Sequence, residues 1–137
     1  MHLDLSTLIV RDYDEAIRFF VDVLGFELAE DSPSTTNDGR PKRWVVVRPA
    51  GGGSGLLLAR ADGAEQEAAV GRHAAGRVTF FLRVDDFAAT HARLREAGAE
   101  LVGPVREEPY GRLQVFRDLS GNQWDLLGPT SGQHAPE

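Results

Sequence analysis

Apolar and polar positions alternate from Leu5 to Val10, which puts Leu5, Thr7 and Ile9 on one face of a strand and Ser6, Leu8 and Val10 on the other. The period then lengthens. Ala16, Phe20 and Val23, joined by Ile17 and Leu24, form the stripe of an amphipathic helix. Asp12 or Asp14 caps it, and Asp14-Glu15 places acid in its first turn. Gly25 ends it, and Phe26 to Ala29 starts a second strand. Ser32 to Lys42 reads as a polar loop, Arg43 to Arg48 as a strand rich in Trp and Val, Pro49 to Gly55 as a hairpin loop and Leu56 to Arg60 as a fourth strand. Ala61 to Gly76 is a connector with Ala and Glu enough for a short helix. The order then returns: strand Arg77 to Val84, helix Phe87 to Ala97, and strands Glu100 to Gly103, Leu113 to Arg117 and Asn122 to Leu127. A tight turn at Asp118 to Asn122 joins the last two strands, Pro109-Tyr110-Gly111 makes another turn, Glu107-Glu108 reads as exposed, and residues 130–137 read as a frayed tail.

The pattern is a duplication. Leu5 to Leu28 comes back as Thr79 to Leu101, with Val10 matching Val84 and Gly25-Phe26-Glu27-Leu28 matching Gly98-Ala99-Glu100-Leu101. One residue is lost inside the second helix. Two copies are too few for a solenoid, so the expected outcome is a pair of modules with a concave surface between their sheets.

Composition narrows the chemistry. A 137-residue chain with 42% apolar and 26% charged residues is globular material, and its apolar runs are too short to cross a bilayer. No signal peptide is legible at the N-terminus, and cysteine is absent, so thiolate chemistry and disulfides drop out and a cytoplasmic location is the expectation. A net charge of −6 without a basic stripe argues against nucleic-acid partners. The Gly-rich Pro49 to Gly55 leads into a strand and lacks the Lys-Ser/Thr ending of a phosphate loop.

Three motifs carry a resemblance: V-x-D-x-D-E-A-I-x-F-F-x-x-x-L-G-F (Val10 to Phe26), V-D-D-F-x-A-T-x-x-x-L-x-x-x-G (Val84 to Gly98) and P-Y-G-x-x-x-x-F-x-D-x-x-G-N-x-W-x-L (Pro109 to Leu126). In this order on a duplicated frame they resemble the vicinal oxygen chelate superfamily of glyoxalase I, extradiol dioxygenases and bleomycin-resistance proteins. The resemblance implies an α+β fold of two tandem βαβββ modules, curved mixed sheets around a concave cavity, and a homodimer. The expected layout is module one over 1–62, a linker over 63–76, module two over 77–130 and a flexible tail over 131–137.

The resemblance also implies metal ligands on the first and last strand of each module. Here those positions hold Leu5, Thr79, Leu57 or Ala59, and Asp125, of which only Asp125 is a plausible remnant ligand, so no cofactor is expected. The histidines do not rebuild the site. His2 precedes the first strand, His73 lies in the connector and His134 in the tail, while His91 follows the buried stripe of the second helix as a locally hydrogen-bonded interfacial residue. Strand alternation instead predicts a mostly apolar cavity with walls of Leu5, Thr7 and Ile9, of Thr79, Phe81 and Arg83, and of Gln123, Asp125 and Leu127, with Trp124 and Leu126 packed against helices. Arg83 and Asp125 are candidates to pair. Trp44 either stacks on a ligand or packs in a core or dimer interface, and Tyr110 either gates the cavity or packs in its turn. The expected partner is a small aromatic or amphipathic molecule, bound by a protein resembling the bleomycin-resistance binders. A metal-dependent glyoxalase-like lyase or isomerase, or a dioxygenase, is the alternative, and a ligand-sensing regulatory module is a third reading.

Overall fold

The computed structural model describes residues 1–131, which form two compact units, one over Met1–Gly71 and one from Arg72 onward. In the first, β1 (Leu5–Val10) is followed by helix α1 (Tyr13–Arg18), which continues as a π-helical stretch (Phe19–Val23). Then come β2 (Glu27–Thr35), β3 (Pro41–Arg48), β4 (Gly55–Arg60) and a short α2 (Ala64–Ala69). The second contains β5 (Val78–Arg83), α3 (Phe87–Glu96), β6 (Glu100–Glu108), β7 (Gly111–Arg117) and β8 (Gln123–Gly128). The sheets are four-stranded, ordered β1-β4-β3-β2 and β5-β8-β7-β6, with the first pair parallel and the others antiparallel. Each unit is the βαβββ arrangement expected from the repeat.

The two helices repeat each other residue by residue. Asp12 and Asp86 are the N-caps: their carboxylates accept from the backbone N–H of Glu15 (2.7 Å) and Ala89 (3.0 Å). Asp14, the other capping candidate, instead pairs with Arg43 at 3.0 Å. Tyr13, Ala16 and Phe20 are buried in one unit; Phe87, Thr90 and Leu94 are buried in the other. Val23 and Ile17 are only half-buried, a departure from the expected stripe; Val23 ends the π-helical stretch, which turns it out of phase.

That stretch is where the extra residue goes. At the end of α3 the N–H of Ala99 reaches the carbonyl of Leu94 (3.0 Å) and that of Gly98 reaches Arg95 (3.1 Å), a Schellman closure with Gly98 at φ 72°. At the end of α1 the corresponding N–H of Phe26 reaches Phe20 (2.8 Å), one residue further back, and Leu24 bonds to Phe19 rather than Phe20 (3.2 Å). Phe20 and Leu94 therefore occupy equivalent places, and the inserted residue is absorbed between Phe20 and Gly25 by widened hydrogen-bonded rings.

Two strands are longer than expected. The segment expected as a loop over Ser32 to Lys42 is strand at both ends, leaving residues 36–40 as the connection. β2 is an outer strand, where polar side chains stay wet and Pro33 breaks no essential ladder bond, so pairing with β3 overrides weak strand propensity. β6, also outer, runs on through Gly103 and Pro104 to Glu108. It takes in Glu107, whose carboxylate accepts from the N–H of Ser131 at 2.5 Å and ties down the start of the segment expected to fray. His134 and the remainder of that segment lie outside the described residues.

Candidate functional site

Unit one presents a cleft of about 230 Å3 on its sheet. Leu57 and Ala59 of β4 and Trp44 of β3 supply apolar wall; Thr36, Arg40, Lys42, Asp62 and Gln66 supply polar rim. Trp44 is 37% exposed, so of its two expected roles it is not a core residue. Thr7 and Ile9 are the register partners of Leu57 and Ala59 across the parallel β1–β4 ladder, and Leu5 that of Gly55, so the three expected wall residues share this face without lining the cleft. The rim is braced by ion pairs. Arg40 spans Asp38 (3.0 Å) and Asp62 (2.8 Å), and its hydrogen bonds hold the Asp62 carboxyl below the usual carboxylate range. Arg43 joins Asp31 (2.7 Å) and Asp14 while lying 5.1 Å from the Tyr13 ring centroid.

Unit two carries a buried carboxylate. Trp124 and Leu126 turn to the helix side, where Trp124 packs on Phe80 and Phe116 and donates from Nε1 to Asp118 (2.9 Å). Asp118 also accepts from the N–H groups of Ser120 and Asn122, the tight turn expected there. Alternation then sends Asp125 to the opposite face with Gln123 and Leu127. Its register partners are Phe81 on β5 and Val115 on β7. Asp125 is only 6% exposed, its Oδ1 has no hydrogen-bond partner, and its Oδ2 lies 3.8 Å from the Arg106 guanidinium. Desolvation pushes its pKa up, against a smaller pull from Arg106. Beside it Phe81 is 66% exposed, unusual for an aromatic in a strand.

Several expectations need correction. Asp125 pairs with Arg106 and not with Arg83, whose register partner is Leu127. Thr79 falls in an irregularity of the β5–β8 register between Val78 and Phe80, so the wall of Thr79, Phe81 and Arg83 is broken at its first member. Tyr110 is 67% exposed and does not pack within its turn. His91 bonds to Gln114 (3.2 Å) and stacks on Phe87, on the helix side of the sheet.

Arg106 was missed because its position depends on a bulge. Val102 pairs with Val115, but the next matched pair is Arg106 with Leu113, so Gly103, Pro104 and Val105 together face the single residue Gln114. In a regular ladder Pro104 would stand opposite Leu113. The bulge brings Arg106 there instead, onto the face of Asp125. Gln114, 2% exposed, holds it: Nε2 donates to the carbonyls of Gly103 (3.0 Å), Val102 (3.3 Å) and Val115 (3.0 Å), while Oε1 accepts from His91. A Gly-Pro pair inside a strand-like run was the available signal.

A divalent cation of the kind the resemblance implies does not fit these residues. Among the described residues no three His, Cys, Asp or Glu side chains come together; of the buried carboxylates, Asp125 already faces a guanidinium and Asp118 is taken up by the N–H groups of Ser120, Asn122 and Trp124. The unit-one face offers Leu5, Leu57 and Ala59 where donors would be needed.

The chain is similar to known proteins over most of its length. An uncharacterized protein of Shewanella frigidimarina (strain NCIMB 400) is 50% identical over 121 residues, 88% of this chain and 87% of that one. Among solved structures, TnmS3, an antibiotic binding protein from Streptomyces sp. CB03234, is 32% identical with a TM-score of 0.71, covering 95% of this chain and 97% of that one. A glyoxalase/bleomycin resistance protein from the same Streptomyces strain is 30% identical with a TM-score of 0.65, over 91% and 98% of the two chains. Residues 2–126 match the family model of the Glyoxalase/Bleomycin resistance protein/Dioxygenase superfamily, and the chain belongs to that superfamily.

Proposed function

We propose that this protein binds a small aromatic or amphipathic molecule and returns it unchanged. The observation that carries the reading is an exposed aromatic side chain in each unit without a catalytic donor set around it: Phe81 stands exposed in mid-strand beside Asp125 in unit two, and Trp44 lines the cleft of unit one. Apolar sheet surface with a few oriented polar groups is what a planar guest needs for affinity and orientation. The likeness to an antibiotic binding protein supports the same reading. The expected ligand-contacting residues are Leu5, Thr7, Ile9 and Trp44 in unit one and Thr79, Phe81, Arg83, Tyr110, Gln123 and Asp125 in unit two. A metal-dependent lyase, isomerase or dioxygenase is disfavoured by the donor set. The protein acts in the cytoplasm as a homodimer in this reading: the outer strands β1, β2, β5 and β6 each have one neighbour in their sheet, which leaves backbone groups for a second copy.

The test is a fluorescence titration with a panel of aromatic antibiotics. The exposed Trp44 reports binding and the buried Trp124 does not. Saturable quenching that is lost in Trp44→Leu, with the compound recovered chemically intact, is the expected result. Turnover of the compound, or no saturation across the panel, overturns the reading.

A further inference from the structure

Asp125 is paired too weakly for its burial. A carboxylate removed from water needs two or three hydrogen bonds, yet Oδ1 has none and Oδ2 has one guanidinium at 3.8 Å, beyond hydrogen-bond length. No other buried side-chain nitrogen or oxygen among the described residues is left in this state. The nearest groups explain why it is tolerated. Val115 on one side cannot donate, and Phe81 on the other offers only a ring. The helix-side polar groups are fully engaged elsewhere, Gln114 with the bulge and Trp124 with Asp118.

Resting on the binding function proposed above, we propose that Asp125 Oδ1 is the acceptor for a hydroxyl group of the guest, whose aromatic ring lies on Phe81. The two requirements meet in one place, because Asp125 and Phe81 are direct register partners on adjacent strands. Oδ1 is covered in the empty protein, so a guest reaches it as flanking side chains move, and the flanking Phe81 and Arg106 are both substantially exposed and free to change rotamer. Charge selects the donor. Arg83 and Arg106 stand on this same face, so a cationic ammonium would meet two guanidinium groups while approaching one carboxylate. A neutral O–H gives Oδ1 its missing bond without that repulsion. The ligand class is therefore a hydroxylated aromatic, a phenol or naphthol type, rather than an aromatic amine cation.

Equilibrium dialysis of the full chain against naphthalene, 2-naphthol and protonated 2-naphthylmethylamine tests this. Wild type is expected to prefer 2-naphthol over naphthalene by roughly tenfold, the scale of one hydrogen bond to a charged acceptor, and to hold the amine no better than naphthalene. The preference, taken as the ratio of the two affinities within each variant, is expected to shrink in Asp125→Asn, which keeps the shape and a neutral acceptor, and to vanish in Asp125→Leu. An equal 2-naphthol preference in wild type and Asp125→Asn, or an amine bound best, overturns the assignment and leaves the binding function standing. If naphthalene and 2-naphthol both fail to bind wild type, the binding function itself falls, and this inference with it.

Discussion

Asp125 sets the pH dependence expected of single residues. Its folded-state pKa is raised by burial, so the folded chain holds this proton more tightly than the unfolded chain does. Between the ordinary carboxylate range and the raised value, stability therefore falls as pH rises, and above that value the cost of the buried charge is constant. This is the reverse of a salt-bridged carboxylate. Asp125→Asn is expected to stabilise the protein by about 1 kcal/mol at neutral pH, raising Tm by about 4 °C. The gain should disappear once pH drops below the ordinary carboxylate range. Thermal melts at pH 7 and pH 3.5 check it, and a gain of equal size at both would show that the charge is not the cause. The same substitution is predicted to weaken recognition of hydroxylated guests, so stability and binding move in opposite directions at this residue.

Elements respond through their irregularities. The widened turns of the first helix contain one residue more than α3 does, so deleting the exposed Asp22 lets the Leu24 N–H reach Phe19 with ordinary α-helical spacing and restores the Schellman closure seen at Gly98. This deletion should leave a folded protein, while deleting Arg93 from the regular α3 throws Leu94 out of the core and should abolish the cooperative melt. Circular-dichroism melts compare the two, and equal damage from both would refute the account of the insertion. On β7, Gln114→Leu removes the donor to the β6 carbonyls of Val102 and Gly103 and is expected to cost about 2 kcal/mol in denaturant unfolding. A loss no larger than that of an exposed control such as Gln66→Leu would mean the bulge holds itself.

For the molecule as a whole, two expectations follow. Excess EDTA should leave Tm unchanged and divalent metals should not raise it, since a site that held a cation would add stability by mass action. A metal-dependent rise of several degrees would mean donors have been misjudged. Light scattering should return twice the 15.0 kDa chain mass; a monomer at micromolar concentration would remove the pairing through outer strands.

The amino-acid sequence by itself determined the duplication, because both copies write the same local instructions: a capping Asp followed by an aromatic, a buried stripe and a glycine after the last turn. Caps, periodicity and turn chemistry act within a few residues, so Gly98 and the Asp118 turn were legible in the sequence, which also narrowed the first cap to Asp12 or Asp14. It also put Leu5, whose side chain has no donor atom, at a position where the resemblance implies a metal ligand. Only the tertiary structure decided what surrounds Asp125. Arg106 reaches it because three residues of β6 bulge against Gln114, and strand register is set by pairing between distant segments rather than by either segment alone. For the same reason Arg83, the partner that simple alternation favoured, stands beside Leu127 instead.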